Sequence, residues 1–405
     1  MAKAGAQLTR QGWLGRVRSA QRPLALAASL VVSALAIVSG IDRETRARPD
    51  LAASLPLQFG PNAQAALAHG RLAENDFGAA RGHAEAAVLS APIEPDSTAL
   101  LGAARAGSGD LAGAERAFLV AGRLGWRTPI TQFYWMQGAL DVGDERVAAL
   151  RLDAILRADP ALVGNRNLLA PLEASEAGRE ALSVQLRAAP DWLERYGGDV
   201  DALTLPEAAI RADVLGRLAR SGHPLGCVAA GPLTRRLVYL GDIALGNDFW
   251  RRHCPGRSGS LIADRTFGDL QVNQPASPFD WTVIGDSDVS VTVDPAGAGQ
   301  QRLLLASSAS FPRKILMQLI VPPPGNYRLS WSATVAGGAP RDRIVATVSC
   351  RPDAQDWLTP ALDPASKRYF VDLSVDASCT GRWIGFGLLP GNDAVSFGSV
   401  DFRPR

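Results

Sequence analysis

The four cysteines are the residues whose type and spacing suggest chemistry most directly, because they fall into two pairs. Cys227 and Cys254 lie in a stretch with helical patterning. Cys350 and Cys379 each end a strand-like run. If this part of the chain reaches an oxidising compartment, each pair is expected to form a disulfide, and buried free thiols are the alternative. The sequence has no Cys-x-x-Cys, so redox catalysis is not indicated.

Motifs of catalysis are missing from the sequence. It has no Gly-x-Ser-x-Gly, no phosphate-cradling glycine loop and no His-Glu-x-x-His. The 4 histidines are scattered, and none neighbours a convincing nucleophile. A glycosidase needs two carboxylates across a cleft, and a chain with 40 acidic residues does not single out such a pair. The sequence therefore predicts a protein that is not an enzyme and has no catalytic cofactor.

Composition limits the remaining classes. The chain has 405 residues, of which 47% are hydrophobic and 20% charged, so it can bury large cores in two or three domains. The formal net charge of +2 gives no basic field for nucleic acid, which excludes that partner class.

The N-terminal segment has the pattern of a membrane anchor. Residues 1–23 are basic and contain no acidic residue, and residues 24–41 carry no charge. A helix of that length spans about 27 Å, close to the hydrocarbon core of a bilayer. By the positive-inside rule the basic segment stays cytoplasmic and the bulk is exported, which predicts a single-pass protein of the bacterial inner membrane with a periplasmic body. A cleaved signal peptide with a site at Ala34-Leu35-Ala36 and a buried helix of a soluble protein are the alternatives.

A period of 34 residues follows the anchor. The dipeptides Asn75-Asp76, Gly109-Asp110 and Gly143-Asp144 keep this step, and so do the small residues Ala80, Ala114 and Ala148. Each unit is predicted to be a helix, a short turn and a second helix that the aspartate caps.

Residues 64–160 resemble tetratricopeptide repeats in period and in the small residues at packing positions, although the first-helix signature is degenerate. The pattern loses phase towards residue 254, so we predict a tetratricopeptide-like helical domain over residues 60–254 with atypical capping units. The resemblance implies a groove that binds an envelope protein partner; a packed spacer is the alternative.

Composition changes at residues 255–261, which are predicted to be a linker. Beyond it, short β-branched runs alternate with Gly, Pro, Asn and Asp. Roughly nine runs over residues 262–405 predict an antiparallel β-sandwich or jelly roll. The fold class is therefore multidomain α and β: a transmembrane helix, an all-α solenoid and a C-terminal sandwich.

This region resembles galactose-binding-like jelly-roll domains at Phe279-Asp280-Trp281, at residues 324–329 and at residues 397–402. The resemblance implies a carbohydrate-binding module, in which aromatic side chains stack on sugar rings. Trp357, in a loop-like stretch, is the best candidate platform, with Tyr369 and Trp281 as further candidates; a core role is the alternative. The resemblance also implies a structural calcium, for which Asp269 and Asp401 are the positions to test; a solvated charge or a capped turn is the alternative reading.

The parts together predict a membrane-anchored periplasmic accessory protein for assembly or export of a surface polysaccharide. Its helical repeats would bind a protein and its sandwich a glycan. A protein-interaction scaffold that binds no sugar is the second hypothesis, and a polysaccharide hydrolase the third.

Overall fold

The computed structural model describes residues 8–54, 60–257, 260–270, 272, 277–285, 287–297, 300–335 and 343–405. The chain divides into two compact units, Met1–Ala158 and Asp159–Arg405. The first contains helices, and the second contains further helices followed by two antiparallel sheets. The predicted fold class is confirmed in these terms, with an apolar N-terminal helix, a helical region and a C-terminal β-sandwich. The domain limits at residues 60, 254 and 262 stay predictions.

The first helix, α1, is long and apolar. It covers Leu8–Ala47, and its part Ala25–Ala47 has a mean hydropathy of 2.0 and is long enough to cross a membrane. Leu26, Val32 and Ile37 are each more than 60% exposed. A helix that shows apolar side chains to its surroundings is suited to lipid, so this segment is suited to be a membrane span or a signal sequence. The predicted span, residues 24–41, lies within α1.

The rest of the first unit is built of helix pairs. Its helices are α2 (Pro49–Ala52), α3 (Pro61–Ala73), α4 (Phe77–Ser90), α5 (Pro95–Gly107), α6 (Leu111–Leu124), α7 (Pro129–Asp141) and α8 (Glu145–Ala158). The first helix of each pair starts with a proline, and the three prolines keep the 34-residue step. Proline suits a first helical turn because the N–H it lacks has no partner there.

The turn inside each pair follows from two neighbouring residues. Asn75, Gly109 and Gly143 have φ angles of 59°, 83° and 73°, the left-handed region that favours glycine and asparagine. The aspartate that follows each of them accepts the N–H of the residue three positions later, at 2.9–3.1 Å. The predicted capping aspartates are thus confirmed. Whether the pairs are tetratricopeptide repeats stays a prediction.

Small residues bring the paired helices together. Ala80, Ala114 and Ala148 are all buried, as their periodic spacing predicted. Gly102 of α5 lies so close to the ring of Phe118 in α6 that a Cβ would come within 2.9 Å of it. Close approach of the helix backbones therefore makes much of the packing in this core, and large side chains make only part of it.

The second unit opens with further helices, which are α9 (Arg166–Ala174), α10 (Glu176–Leu186), α11 (Trp192–Gly198), α12 (Leu205–Arg220), α13 (Cys227–Tyr239) and α14 (Ile243–His253). A turn of the same kind as in the first unit separates α13 from α14. The structure places the turn at Gly241, with φ 94°, followed by Asp242, which accepts the N–H of Leu245 at 3.0 Å.

The sandwich has two antiparallel sheets. The strands are β1 (Thr282–Val283), β2 (Val289–Gly297), β3 (Gln300–Ser307), β4 (Arg313–Ile320), β5 (Gly325–Val335), β6 (Ile344–Ser349), β7 (Ala361–Asp363), β8 (Arg368–Val375), β9 (Arg382–Leu388) and β10 (Val395–Pro404). The strand order is β1-β4-β9-β6 in one sheet and β2-β3-β10-β5-β8-β7 in the other. The strand last in sequence, β10, thus pairs on both sides, with β3 and with β5.

Aromatic side chains fill the space between the sheets. Phe386 of β9 lies within 5.2 Å of Trp331 in β5 and 4.9 Å of Phe397 in β10, between ring centroids. All three are buried. These edge contacts between the two inner faces make the sandwich core.

Candidate functional site

Two of the predicted sugar platforms lie inside the sandwich core. Trp281 is 1% exposed, and its indole N–H donates to the carbonyl of Asp264 at 3.1 Å. Tyr369 is 6% exposed, and its ring stacks on that of Trp331. A sugar ring needs an accessible aromatic face. The structure therefore corrects the prediction for both residues, whose rings are part of the core.

Trp357 lies on the outer face of the four-stranded sheet, half-buried. A Cβ at Gly387 of β9 would lie 2.7 Å from its ring, so only glycine admits the indole there. Lys314 holds the same loop by donating to the carbonyls of Pro352 and Ala354 at 2.5 and 2.7 Å. One ring face of Trp357 thus covers the sheet, and its role as a sugar platform stays a prediction.

The two aspartates proposed for calcium have other surroundings. Asp401 is 4% exposed and pairs with the guanidinium groups of Arg265, at 2.8 Å, and Arg403. Asp269 is exposed, and its N–H donates to the carboxylate of Asp264 at 3.1 Å. Among the described residues no group of three or more His, Cys, Asp or Glu side chains could hold a metal ion. A structural calcium at Asp269 or Asp401 therefore stays a prediction.

Both predicted disulfides are present. Cys227 and Cys254 join the start of α13 to the end of α14, with Cα atoms 4.8 Å apart. Cys350 and Cys379 join the ends of β6 and β8, with Cα atoms 5.9 Å apart. Disulfides are typical of compartments outside the cytoplasm.

A cavity lies on the outer face of the six-stranded sheet, and we refer to it as the arginine cavity. Its volume is about 440 Å³, within the range of small-ligand sites. It is lined by Arg328, Ser330, Asp363, Ser366, Arg368, Phe370, Arg403, Pro404 and Arg405. The lining thus combines guanidinium groups, hydroxyls, a carboxylate and one aromatic ring.

Strand alternation places these side chains together. In β5 the residues Tyr327, Leu329 and Trp331 are buried, so Arg328 and Ser330 point outwards. In β8, which pairs with β5, Tyr369 is buried and its neighbours Arg368 and Phe370 point outwards. The Arg328 guanidinium carbon lies 4.0 Å from the centre of the Phe370 ring, a cation–π contact.

Hydrogen bonds fix the guanidinium groups of the arginine cavity. Arg328 makes a two-pronged pair with Asp372, at 2.7 and 2.8 Å. Arg368 donates to the hydroxyl and the carbonyl of Ser399, at 2.8 and 2.9 Å. Burial lowers the pKa of Arg368; Asp401 opposes that effect, and the positive charge of Arg403 adds to it. The site is therefore rigid and carries crowded positive charge.

The sequence interpretation missed this cavity although a signal for it was present. It treated Tyr369 as the exposed aromatic of its strand. Period-two alternation from the buried Trp331 and Tyr369 would have placed Arg328, Arg368 and Phe370 on the opposite, outer face. The pairing of β5 with β8, which brings these residues side by side, cannot be derived from a single sequence.

A second concave site lies within the first unit, and we call it the helical groove. Its volume is about 460 Å³. It is lined by the C-terminal end of α1 and by residues of α3, α5 and α7, the first helices of the three pairs. Ser97 is 1% exposed, and its hydroxyl has no hydrogen-bond partner among the described residues. At the rim Arg46 and Glu94 form an ion pair of 3.3 Å.

Comparisons with known proteins find likeness only at the level of solved structures. No protein-family model matches the sequence, and no curated protein matches it significantly. The chain is similar to the enzymatically active domain of tailspike protein 4 of bacteriophage CBA120 (12% identity, TM-score 0.25), covering 35% of this chain and only 21% of that one. It is also similar to TmCBM61 solved with beta-1,4-galactotriose (11% identity, TM-score 0.23, 36% of this chain and 99% of that one). A third similar structure is a candidate sugar-binding protein from Bacteroides thetaiotaomicron (10% identity, TM-score 0.24, 36% and 100%).

Proposed function

We propose that the protein is a membrane-anchored, periplasmic accessory protein that binds a glycan through its sandwich during assembly or export of a surface polysaccharide. The arginine cavity is the observation that carries this proposal. Arg328 covers one face of the Phe370 ring, and we expect a sugar ring to stack on the part of Phe370 that stays accessible, while Ser330, Ser366 and Asp363 offer groups for the hydroxyls. Binding, and no catalysis, is the proposed role.

The proposed location rests on two independent features. The apolar segment Ala25–Ala47 is preceded by basic residues, which favours a cytoplasmic N-terminus. The two disulfides, Cys227–Cys254 and Cys350–Cys379, favour an oxidising space for the second unit. An inner-membrane protein with a periplasmic body satisfies both.

Glycan binding is tested with the full-length chain in detergent micelles and a panel of immobilised bacterial polysaccharides. We expect saturable binding that Phe370→Ala weakens by roughly tenfold, the loss of one stacking contact. Phe311→Ala is the control. Like Phe370, Phe311 carries a guanidinium over its ring, that of Arg313 at 4.0 Å, but it is exposed and lies outside the cavity. If the wild-type protein binds no polysaccharide of the panel, or if the two variants lose binding equally, the proposal is wrong.

A pure interaction scaffold is the second candidate function, and the helical groove favours it. The groove begins at Thr45 and Arg46, which belong to the same helix as the apolar segment. We therefore expect its occupant to be an extended segment of a membrane protein that leaves the bilayer at the same surface. The buried hydroxyl of Ser97 offers that segment a hydrogen bond.

A photo-crosslinking amino acid at Ala66, inside the groove, tests this candidate in living cells. We expect a crosslink to an extracytoplasmic segment next to a membrane span of the partner. The same label at Leu89, which is 84% exposed on α4, is the control and should not capture that partner. Crosslinks to lipid alone, or capture of the same partner to an equal degree from Ala66 and Leu89, would exclude the scaffold function. Turnover of a polysaccharide by the purified chain would instead favour a hydrolase.

A further inference from the structure

We propose that the arginine cavity selects a polysaccharide with acidic sugar residues, and that its ligand carries a carboxylate next to the ring that stacks on Phe370. This inference rests on the proposed function and names the substrate class of the same site. Its basis is the balance of charge in and behind the cavity.

The cavity holds more positive charge than its own carboxylates neutralise. Four arginines and one aspartate line it. Behind them, Asp372 pairs with Arg328 and Arg405, and Asp401 pairs with Arg403 and Arg265. Five guanidinium groups therefore face three carboxylates, which leaves a positive balance. A neutral sugar would leave this excess uncompensated, whereas an anionic one would neutralise it.

The arginines also differ in what they offer a ligand. Arg368 is fixed by Ser330 and Ser399 and stays within the sheet surface. Arg403 and Arg405 have side chains 68% and 63% exposed. Arg403 pairs with Asp401 through its Nε and Arg405 with Asp372 through one terminal nitrogen, so each guanidinium has further N–H donors to offer a ligand. A guanidinium fork matches a carboxylate in two parallel hydrogen bonds.

The aromatic ring distinguishes this site from a general anion site. Phe370 lies between Arg328 and Arg368 on the outer face, half-buried. A free phosphate or an acidic peptide has no ring face to place on it. A uronate residue has both, an apolar sugar face and a carboxylate attached to the same ring.

The experiment compares one polymer in two charge states. The full-length protein in detergent micelles is titrated with an oligogalacturonate and with the same oligosaccharide after its carboxyl groups are reduced to alcohols. Because charged hydrogen bonds contribute more than neutral ones, we expect binding to the acidic form to be at least roughly tenfold tighter. The affinity for the acidic form should fall as salt rises from about 50 to about 300 mM. Over that range the Debye length shortens by a factor of about two, so the charges are screened more strongly.

Variants locate the effect. The double variant Arg403→Gln and Arg405→Gln removes the two exposed guanidiniums, while Arg265 still pairs with Asp401 and Arg328 with Asp372, so the fold is retained. We expect it to lose at least roughly tenfold of the affinity for the acidic form and little for the reduced form. Arg351→Gln is the control, because Arg351 is 76% exposed outside the cavity.

The outcomes separate this inference from the proposed function. Equal binding of both forms overturns the inference and leaves glycan binding intact. Binding of neither form, nor of any polysaccharide in the panel, overturns the proposed function. Equal binding of polyglutamate shows an attraction for any polyanion and overturns the inference as well. Loss of binding in the Arg351 variant to the same degree has the same consequence.

Discussion

Acidification is expected to destabilise the second unit through one buried histidine. His253, at the end of α14, is fully buried, and its Nδ1 accepts the N–H of Leu225 at 3.1 Å. Its ring also packs against Phe249, with centroids 4.4 Å apart. Burial, and to a smaller degree the charge of Arg252, lowers the pKa of His253 from 6.5 to about 4. The folded protein therefore accommodates the neutral imidazole.

The size and sign of the effect follow from these two pKa values. The unfolded chain takes up a proton as the pH falls below 6.5, but the folded chain does so only near 4. The contribution of His253 is thus fully present above pH 6.5 and is lost as the pH falls towards 4. Between pH 7.5 and 4.5 the loss amounts to about 2–3 kcal/mol. For a unit of this size that corresponds to a melting temperature lower by roughly 5–10 °C.

Thermal unfolding followed by circular dichroism at pH 7.5 and at pH 4.5 measures this fall in melting temperature. His253→Asn keeps an acceptor for the Leu225 N–H without a titrating ring, so its melting temperature should fall distinctly less between the two pH values. His223→Asn is the control, because His223 is exposed and this variant should retain the full drop. If the wild type and His253→Asn show the same drop, His253 is not the group responsible.

Three further outcomes are expected. Gly178→Ala should destabilise the protein by about 2–3 kcal/mol, because the added Cβ would collide with the carbonyl oxygen of Leu172. Gly138→Ala has open space around it and should stabilise the protein by about 0.5–1 kcal/mol. Urea denaturation of the two variants and the wild type measures both changes. Replacing Cys350 and Cys379 by serine together should cost about 3–4 kcal/mol by chain-entropy arithmetic, and an unchanged urea midpoint would contradict this. Alkaline phosphatase fused after the last residue should be active, whereas activity of a cytosolic reporter there would contradict the proposed topology.

The sequence predicted the elements well where local signals were strong. The capping aspartates Asp76, Asp110 and Asp144 stand where the 34-residue period predicted them. Towards residue 254 the predicted period loses phase, yet the structure there has α13 and α14 around a turn at Gly241 and Asp242. The glycine and the capping aspartate were readable signals there. All nine predicted strand runs form strands, whereas β7 has three residues, two of them exposed, and carries no pattern of its own.

The candidate site was harder to predict for a physical reason. Aromatic residues in strands occur on both faces, and only the register of pairing decides which of two neighbours is buried. Tyr369 and Phe370 are adjacent in sequence, yet the first packs on Trp331 in the core and the second on Arg328 in the cavity. The arginines come from strands far apart in sequence, so their accumulation is a property of the sheet order.

The central place of β10 has a consequence for how the protein is made. This strand contains residues 395–404 and bridges β3 and β5, which otherwise would each present an open edge. The six-stranded sheet therefore cannot close until residues 395–404 have left the ribosome and, under the proposed topology, have also crossed the bilayer. Until that moment β3 and β5 present unpaired backbone groups, so the unfinished sandwich is most prone to aggregation before β10 is added.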